Sequence, residues 1–260
     1  MTPRKLGQHF LTDAGWRTRI LELLRPAPGQ VWVEIGAGRG EMTAELARRV
    51  ERVVAIELDR SLLAPLGERT AELPVEIVSG DVLALDIGRL GGRRFHVYGS
   101  LPYYITSPIL RRLFALADRI EEIDVVVQWE VAQRIVAAPG RREYGWLSVL
   151  ARFYTKPEIL LRVPPGAFRP APKVDSALVA LRPPGEKAGL GIEEEQGFLA
   201  FCEACFAHKR KTLVNNLKAG YSAEAVREAL AAERLGPKAR AEEMSVAELA
   251  GLYRRIGAGV

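Results

Sequence analysis

Three glycines, Gly36, Gly38 and Gly40, stand in "VEIGAGRGEMT", directly behind the short apolar run "QVWVEIG". Glycines at the carboxyl end of a strand let the backbone turn tightly and approach a ligand closely. Glu57 ends the next strand-like run, "RVVAIELD", 21 residues after Gly36. A carboxylate placed there can accept hydrogen bonds from both hydroxyls of a ribose. Asp81 closes a third run, "PVEIVSGDVL", where an acceptor can take an amino hydrogen of adenine. Each acid alone reads equally well as a solvated turn or helix-cap residue. Together, on three successive strand ends, Gly, Glu and Asp describe a nucleoside pocket. The third glycine comes one residue earlier than in G-x-G-x-x-G. That spacing suits a ligand with no pyrophosphate to seat, and S-adenosylmethionine fits it better than NAD.

A fourth strand-like run, "FHVYGS", brings "GSLPYYIT" to the same edge. Ser100 supplies a side-chain oxygen, Leu101 a backbone carbonyl, Pro102 a stiff turn and Tyr103 an aromatic plane. Two such acceptors can hold the hydrogens of an exocyclic amine. They draw its nitrogen towards tetrahedral geometry and free a lone pair otherwise delocalised into the ring. Tyr103 can stack on the base. Enzymes that act on a base take it out of its stack and need a platform of this kind. Such sites carry Asn or Asp, less often Ser, at the first position. Ser100 offers one hydroxyl oxygen, without the amide's separate donor and acceptor. Transfer is expected to be retained but slower.

The elements that position these residues alternate from about residue 30. Helical spacing marks 41–50, 61–72 and 107–117, and "IDVVVQWE" is a fifth strand. This βαβα rhythm predicts a parallel sheet covered on both faces. "PEILLRVPPGAF" and "SALVALRP" are two further strands with only a loop between them, so they are expected to pair antiparallel. A Pro/Gly-rich linker, 183–191, precedes a purely helical remainder at 194–207, 209–219, 222–233 and 245–256. The expected fold is α/β: a Rossmann-like domain over 1–183, then a small C-terminal helical domain over 192–260. Its sheet is mostly parallel, seven-stranded, and ends in an antiparallel hairpin.

The chain has 260 residues, 48% of them hydrophobic, enough for a sizeable core. No apolar run is long enough for a transmembrane helix. The start "MTPRKLGQHFLTD" lacks the apolar stretch of a secretory signal, so a cytoplasmic location is expected. The formal net charge of +5 permits a polyanionic partner. "HKRK", His208 to Lys211, reads as a basic helix face. With Arg4, Lys5, Arg141, Arg142, Arg169 and Lys173 near the proposed pocket loops, it points to phosphate contact. Cys202 and Cys205 form no disulfide framework. They read, with Phe198, Phe201 and Phe206, as a buried apolar face; with His208 they fall short of a metal site, and none is expected. His96 reads as a satisfied core residue.

These motifs together resemble the rRNA adenine-N6,N6-dimethyltransferases of the KsgA type, and more distantly the Erm methyltransferases. The resemblance covers almost the whole chain. It runs through "RKLGQHFLTD", "VEIGAGRGEMT", "AIELDR", "SGDVL", "REYGWLSVLARFY", "FRPAPKVDSALV" and "FAHKRKTLVNNL". It implies a class I S-adenosylmethionine methyltransferase that dimethylates two adjacent adenosines near the 3′ end of small-subunit rRNA. The partner would be an immature small ribosomal subunit, and the enzyme a monomer. By the same resemblance His9, Leu11, Gly36, Gly38, Glu57, Asp81 and Ser100 line the cofactor pocket. Ser100 and Leu101 hold the target amine, and Tyr103 and Phe168 sandwich the flipped adenine. Arg4, Lys5, Arg169, Lys173, Lys209, Arg210 and Lys211 contact RNA. Two positions depart from the family: Ser100 stands where Asn is usual, and Trp129 where Lys is expected. An Erm-like action on large-subunit rRNA, and an assembly factor without catalysis, are the competing readings.

Overall fold

The computed structural model describes residues 9–102 and 105–257. Arg4, Lys5 and Tyr103 lie outside the described residues. The chain divides into two compact units. The first holds the described residues up to Ala132 together with Pro157–Pro183; the second holds Gln133–Lys156 and the described residues from Pro184 onward. A linear division at residue 183 therefore differs from the compact units, because residues 133–156 group with the C-terminal helices.

The first unit begins with a two-residue strand, β1 (Phe10–Leu11), and helix α1 (Ala14–Leu24). Asp13 caps α1 by accepting from the Trp16 amide at 3.0 Å. Then β2 (Val31–Ile35), α2 (Glu41–Ala47), β3 (Arg52–Glu57), α3 (Leu63–Thr70), β4 (Val75–Ser79), α4 (Ile87–Gly91), β5 (Phe95–Ser100), α5 (Thr106–Phe114) and β6 (Ile120–Gln128) alternate, with α4 the one helix of this run that the spacing did not mark. Helix α6 (Trp129–Val136) follows β6 without a break, and α7 (Trp146–Tyr154) leads into β7 (Lys156–Val163). A short β8 (Phe168–Arg169) and β9 (Ser176–Arg182) complete the strands. The main sheet has seven strands in the order β4-β3-β2-β5-β6-β9-β7. Strands β2 to β6 pair parallel, and β9 pairs antiparallel with β6, Gln128 opposite Ser176. With β7 outside β9, the sheet ends in the expected antiparallel hairpin. The central strands are largely apolar because both sheet faces are covered: Val33, Val53, Val54, Val97, Val125 and Val127 are fully buried.

Two acids interrupt that core. Glu34, Tyr98 and Asp124 are register partners across β2, β5 and β6. Neither carboxylate oxygen of Asp124 has a hydrogen-bond partner among the described residues. Burial, and then the nearby Glu122 charge, push the Asp124 carboxyl up to about 8, against the pull of Arg182. The folded chain thus keeps this proton to about pH 8, whereas an unfolded one releases it near about 4. Asp124 therefore contributes stability at low pH that is lost as pH rises towards 8. Asp124→Asn is expected to melt several degrees above wild type at pH 9, with no such gain at pH 5, by thermal unfolding at both pH values. Equal shifts at the two pH values would contradict the assignment.

The second unit is helical: α7, α8 (Glu195–Cys205), α9 (Leu213–Leu217), α10 (Ala223–Ala232) and α11 (Val246–Gly257). Aromatic rings fill its centre. Phe198 lies between Phe153 and Tyr253, with ring centroids 5.3 and 5.6 Å apart. Tyr144 is fully buried and donates its hydroxyl to the Met244 carbonyl at 2.8 Å. Cys202 and Cys205 are buried free thiols on α8, as their apolar neighbours imply. The basic run departs from its helical reading. Helix α8 stops at Cys205, and His208 to Lys211 form an exposed turn. Arg210 is left-handed, with φ of 66°, which no helix tolerates. Thr212 then caps α9, accepting from the Asn215 amide.

Candidate active site

The carboxyl ends of β2, β3, β4 and β5 converge on one cleft, and each brings the residue its sequence marks. Gly36, Gly38, Glu57, Asp81, Ser100 and Leu101 all line it, joined by His9 and Leu11 from the N-terminal segment. In the glycine turn, Gly36, Gly38 and Gly40 have φ of 77°, 60° and 82°. L-residues with side chains rarely adopt those values. A Cβ on Gly38 would also stand 3.1 Å from the Phe10 ring. Gly99 answers a different need: a Cβ there would come within 2.9 Å of the Ile35 carbonyl on the neighbouring strand.

Glu57 organises the glycine turn. Its carboxylate is 3% exposed. Oε2 accepts from the Gly38 amide at 2.7 Å and Oε1 from the Asp59 amide at 2.8 Å. Each carboxylate oxygen keeps a further lone pair for a ligand. Asp81 accepts from the Leu83 amide through Oδ1 at 2.9 Å, which leaves it half engaged and exposed at the cleft edge. On β5, the Leu101 amide donates to Val126 at 3.0 Å, which fixes the backbone on which Ser100 and the Leu101 carbonyl stand. Leu101, Val126, Ile109, Ile56 and Met42 are buried apolar walls. Positive-φ glycines, a buried carboxylate and a second carboxylate one strand away fit S-adenosylmethionine.

The N-terminal segment reaches the cleft because β1 pairs antiparallel with β8, Phe10 opposite Arg169 and Leu11 opposite Phe168. The ring Nδ1 of His9 lies 2.7 Å from the Pro170 carbonyl. This pairing corrects the reading of Phe168. Its ring does not line the cleft. It is 1% exposed and packs in the core with Ile20, Leu21, Trp32 and Tyr98. So buried, it presents no free face for an adenine. Arg169 and Lys173 are exposed on the same loop, whereas Lys209, Arg210 and Lys211 belong to the second unit. His96 also departs from expectation: it is only half-buried, stacks on Trp32 at 4.8 Å, and its Nδ1 has no partner among the described residues. Burial holds its pKa below the ordinary histidine value.

Among the cleft residues that escaped the sequence reading, Glu34 and Phe10 stand out. Glu34 lines the floor, hidden within the apolar run of β2. It is 2% exposed, and burial, with the Glu57 and Glu41 charges, pushes its carboxyl up to about 8. Phe10 packs against the glycine turn and carries Arg39 over its ring at 5.9 Å. The signal for Phe10 was its place between two residues already marked, His9 and Leu11.

A match to the ribosomal RNA adenine dimethylase family spans residues 2–257. The chain belongs to the ribosomal RNA adenine dimethylase family. Its cleft is accordingly that of an S-adenosylmethionine-dependent methyltransferase. Among curated relatives of the dimethylase is the ribosomal RNA small subunit methyltransferase A of Koribacter versatilis. It is 41% identical, covering 98% of this chain and 94% of the relative. The protein of the same name from Acidobacterium capsulatum is 43% identical, covering 97% and 90%. Among solved structures, the 23S rRNA methyltransferase ErmE is 27% identical with a TM-score of 0.72, covering 95% of this chain and 99% of its own. A dimethyladenosine transferase from Plasmodium falciparum shares the fold with a TM-score of 0.77, at 21% identity and 94% and 96% coverage. Among the described residues no helix of the dimethylase is long and apolar enough to cross a membrane.

Proposed function

We propose that this dimethylase transfers methyl groups to N6 of two adjacent adenosines near the 3′ end of small-subunit rRNA. It acts as a cytoplasmic monomer on immature small ribosomal subunits. The observation that carries the reading is the convergence of Gly36, Glu57, Asp81 and Ser100 on one cleft. The names of its relatives direct it to the small subunit.

When bound, S-adenosylmethionine supplies an electrophilic methyl group on a sulfonium sulfur. Glu57 accepts from the ribose hydroxyls, and the free oxygen of Asp81 from the adenine amino group. His9 and Leu11 close the pocket from the N-terminal side. Ser100 Oγ and the Leu101 carbonyl hold the two amino hydrogens of the target adenosine. Held in this way, N6 would present its lone pair to the bound donor, and the amino proton that methylation displaces would leave along one of these two hydrogen bonds. Tyr103 follows Pro102 and stacks on the extruded base, without Phe168 as a second face. The apolar walls exclude water from the reacting atoms. Arg169, Lys173, Lys209, Arg210 and Lys211 contact the phosphate backbone; Arg4 and Lys5 act with them.

The test offers immature small subunits and naked large-subunit rRNA in parallel, with radiolabelled methyl donor. Label is expected in the small-subunit rRNA alone. Label confined to the large-subunit rRNA would establish the Erm-like reading instead.

A further inference from the structure

One exposed arrangement beside the cleft has no place in that mechanism. Trp129 follows Gln128, the register partner of Ser176, which itself lines the cleft. The Trp129 amide donates to the Asp175 carbonyl at 2.9 Å. From β7, Arg162 lays its guanidinium over the indole, 4.6 Å from the ring centroid. Asp175 Oδ2 accepts from Arg162 Nε at 2.7 Å and from a terminal nitrogen at 2.5 Å. Two residues from distant parts of the sequence, Trp129 and Asp175, thus hold the long Arg162 side chain flat. Yet that side chain is 59% exposed.

An exposed ion pair contributes little to stability, so folding alone leaves this arrangement unexplained. Nor is it a phosphate clamp, because Asp175 already offsets the charge. A guanidinium with one face on an indole and its edge on a carboxylate keeps its other face open. It is a planar, weakly hydrated surface on which an unstacked nucleobase can lie. The same loop exposes Lys173 for a phosphate and Val174, 43% exposed, for an apolar edge.

We propose that Arg162, held flat between Trp129 and Asp175, is the stacking platform for the nucleobase that flanks the target adenosine pair. The proposal rests on the reading that the cleft receives an adenosine extruded from rRNA. The flanking base, once its neighbour is withdrawn, loses a stacking partner and finds one here. Trp129, in place of the family's expected Lys, supplies the second layer of the stack. Arg162 is thus a positioning residue that sets register on the RNA and takes no part in methyl transfer.

The experiment uses the full chain and small subunits reconstituted with rRNA carrying 2-aminopurine on either side of the adenosine pair. Wild type is expected to quench one of the two probes. Arg162→Ala and Trp129→Ala are expected to abolish that quenching and raise KM for subunits roughly tenfold, as loss of one base stack would. kcat and donor affinity should stay near wild type. Trp129→Tyr should restore much of the effect, and Arg162→Lys should not, because an ammonium has no plane. Should Trp129→Ala fail to fold, the exposed Arg162 variants decide alone. Unchanged quenching and KM in Arg162→Ala, or full rescue by Arg162→Lys, would overturn the platform. Quenching by wild type without any methyl transfer would support the platform and overturn the proposed function; transfer without quenching would do the reverse.

Discussion

Glu57→Ala is expected to raise the dissociation constant for S-adenosylmethionine by at least about 100-fold, or about 2.7 kcal/mol. Two losses combine. The Gly38 and Asp59 amides lose the carboxylate that receives them at 2.7 and 2.8 Å, so the glycine turn is no longer held in its binding shape. Hydrogen bonds to a charged group contribute about 1.5–3 kcal/mol each. The ribose loses its acceptor as well. Glu57→Gln separates the two effects. Its amide nitrogen cannot accept, so one backbone amide is orphaned while the other bond survives, and an intermediate affinity is expected. Titration calorimetry reads both variants. Wild-type affinity in Glu57→Ala would mean that the glycine turn holds itself and that the ribose is recognised elsewhere.

Ser100→Ala is expected to slow single-turnover methyl transfer by about 10²–10³-fold, the effect of removing one preorganised transition-state hydrogen bond. Donor affinity should stay close to wild type, because the glycine turn, Glu57 and Asp81 are untouched. The Leu101 carbonyl remains in place through the Leu101–Val126 bond, so transfer should not vanish. Ser100→Asn should be faster than wild type, since its amide reaches further and accepts through a fixed carbonyl oxygen. Rapid-quench measurement at saturating donor and subunit decides. If Ser100→Ala transfers at the wild-type rate, the hydroxyl does not hold the amine.

The seven main strands were legible as short apolar runs, and four of them, β2 to β5, are closed by Gly, Ser or an acid. The cleft was legible for the same reason: its lining includes those closing residues. The parts that were not legible depend on long-range pairing or on backbone conformations that residue type does not announce. Strands β1 and β8 have two residues each and exist only because Phe10 meets Arg169 across the fold. That pairing turns Phe168 into the core, although its place in "FRPAPKV" suggests an exposed stacking ring. Arg210 carries no mark of its left-handed φ, so "HKRK" reads as helix and folds as a turn. Glu34 stayed hidden because a single acid inside "VWVEI" does not break the apolar pattern. The grouping of α7 with the C-terminal helices depends on aromatic contacts such as Phe153 with Phe198, which no linear linker signal records.

The cleft, with Ser100 where Asn is usual, is expected to dimethylate N6 all the same. Mass spectrometry of nucleosides tests it most directly, after unmethylated small subunits are incubated with the wild-type chain and S-adenosylmethionine. N6,N6-dimethyladenosine is expected from wild type, formed more slowly than by Ser100→Asn. Absence of any methylated adenosine from wild type, with dimethyladenosine restored by Ser100→Asn, would contradict it and leave an rRNA-binding assembly factor that has lost its chemistry.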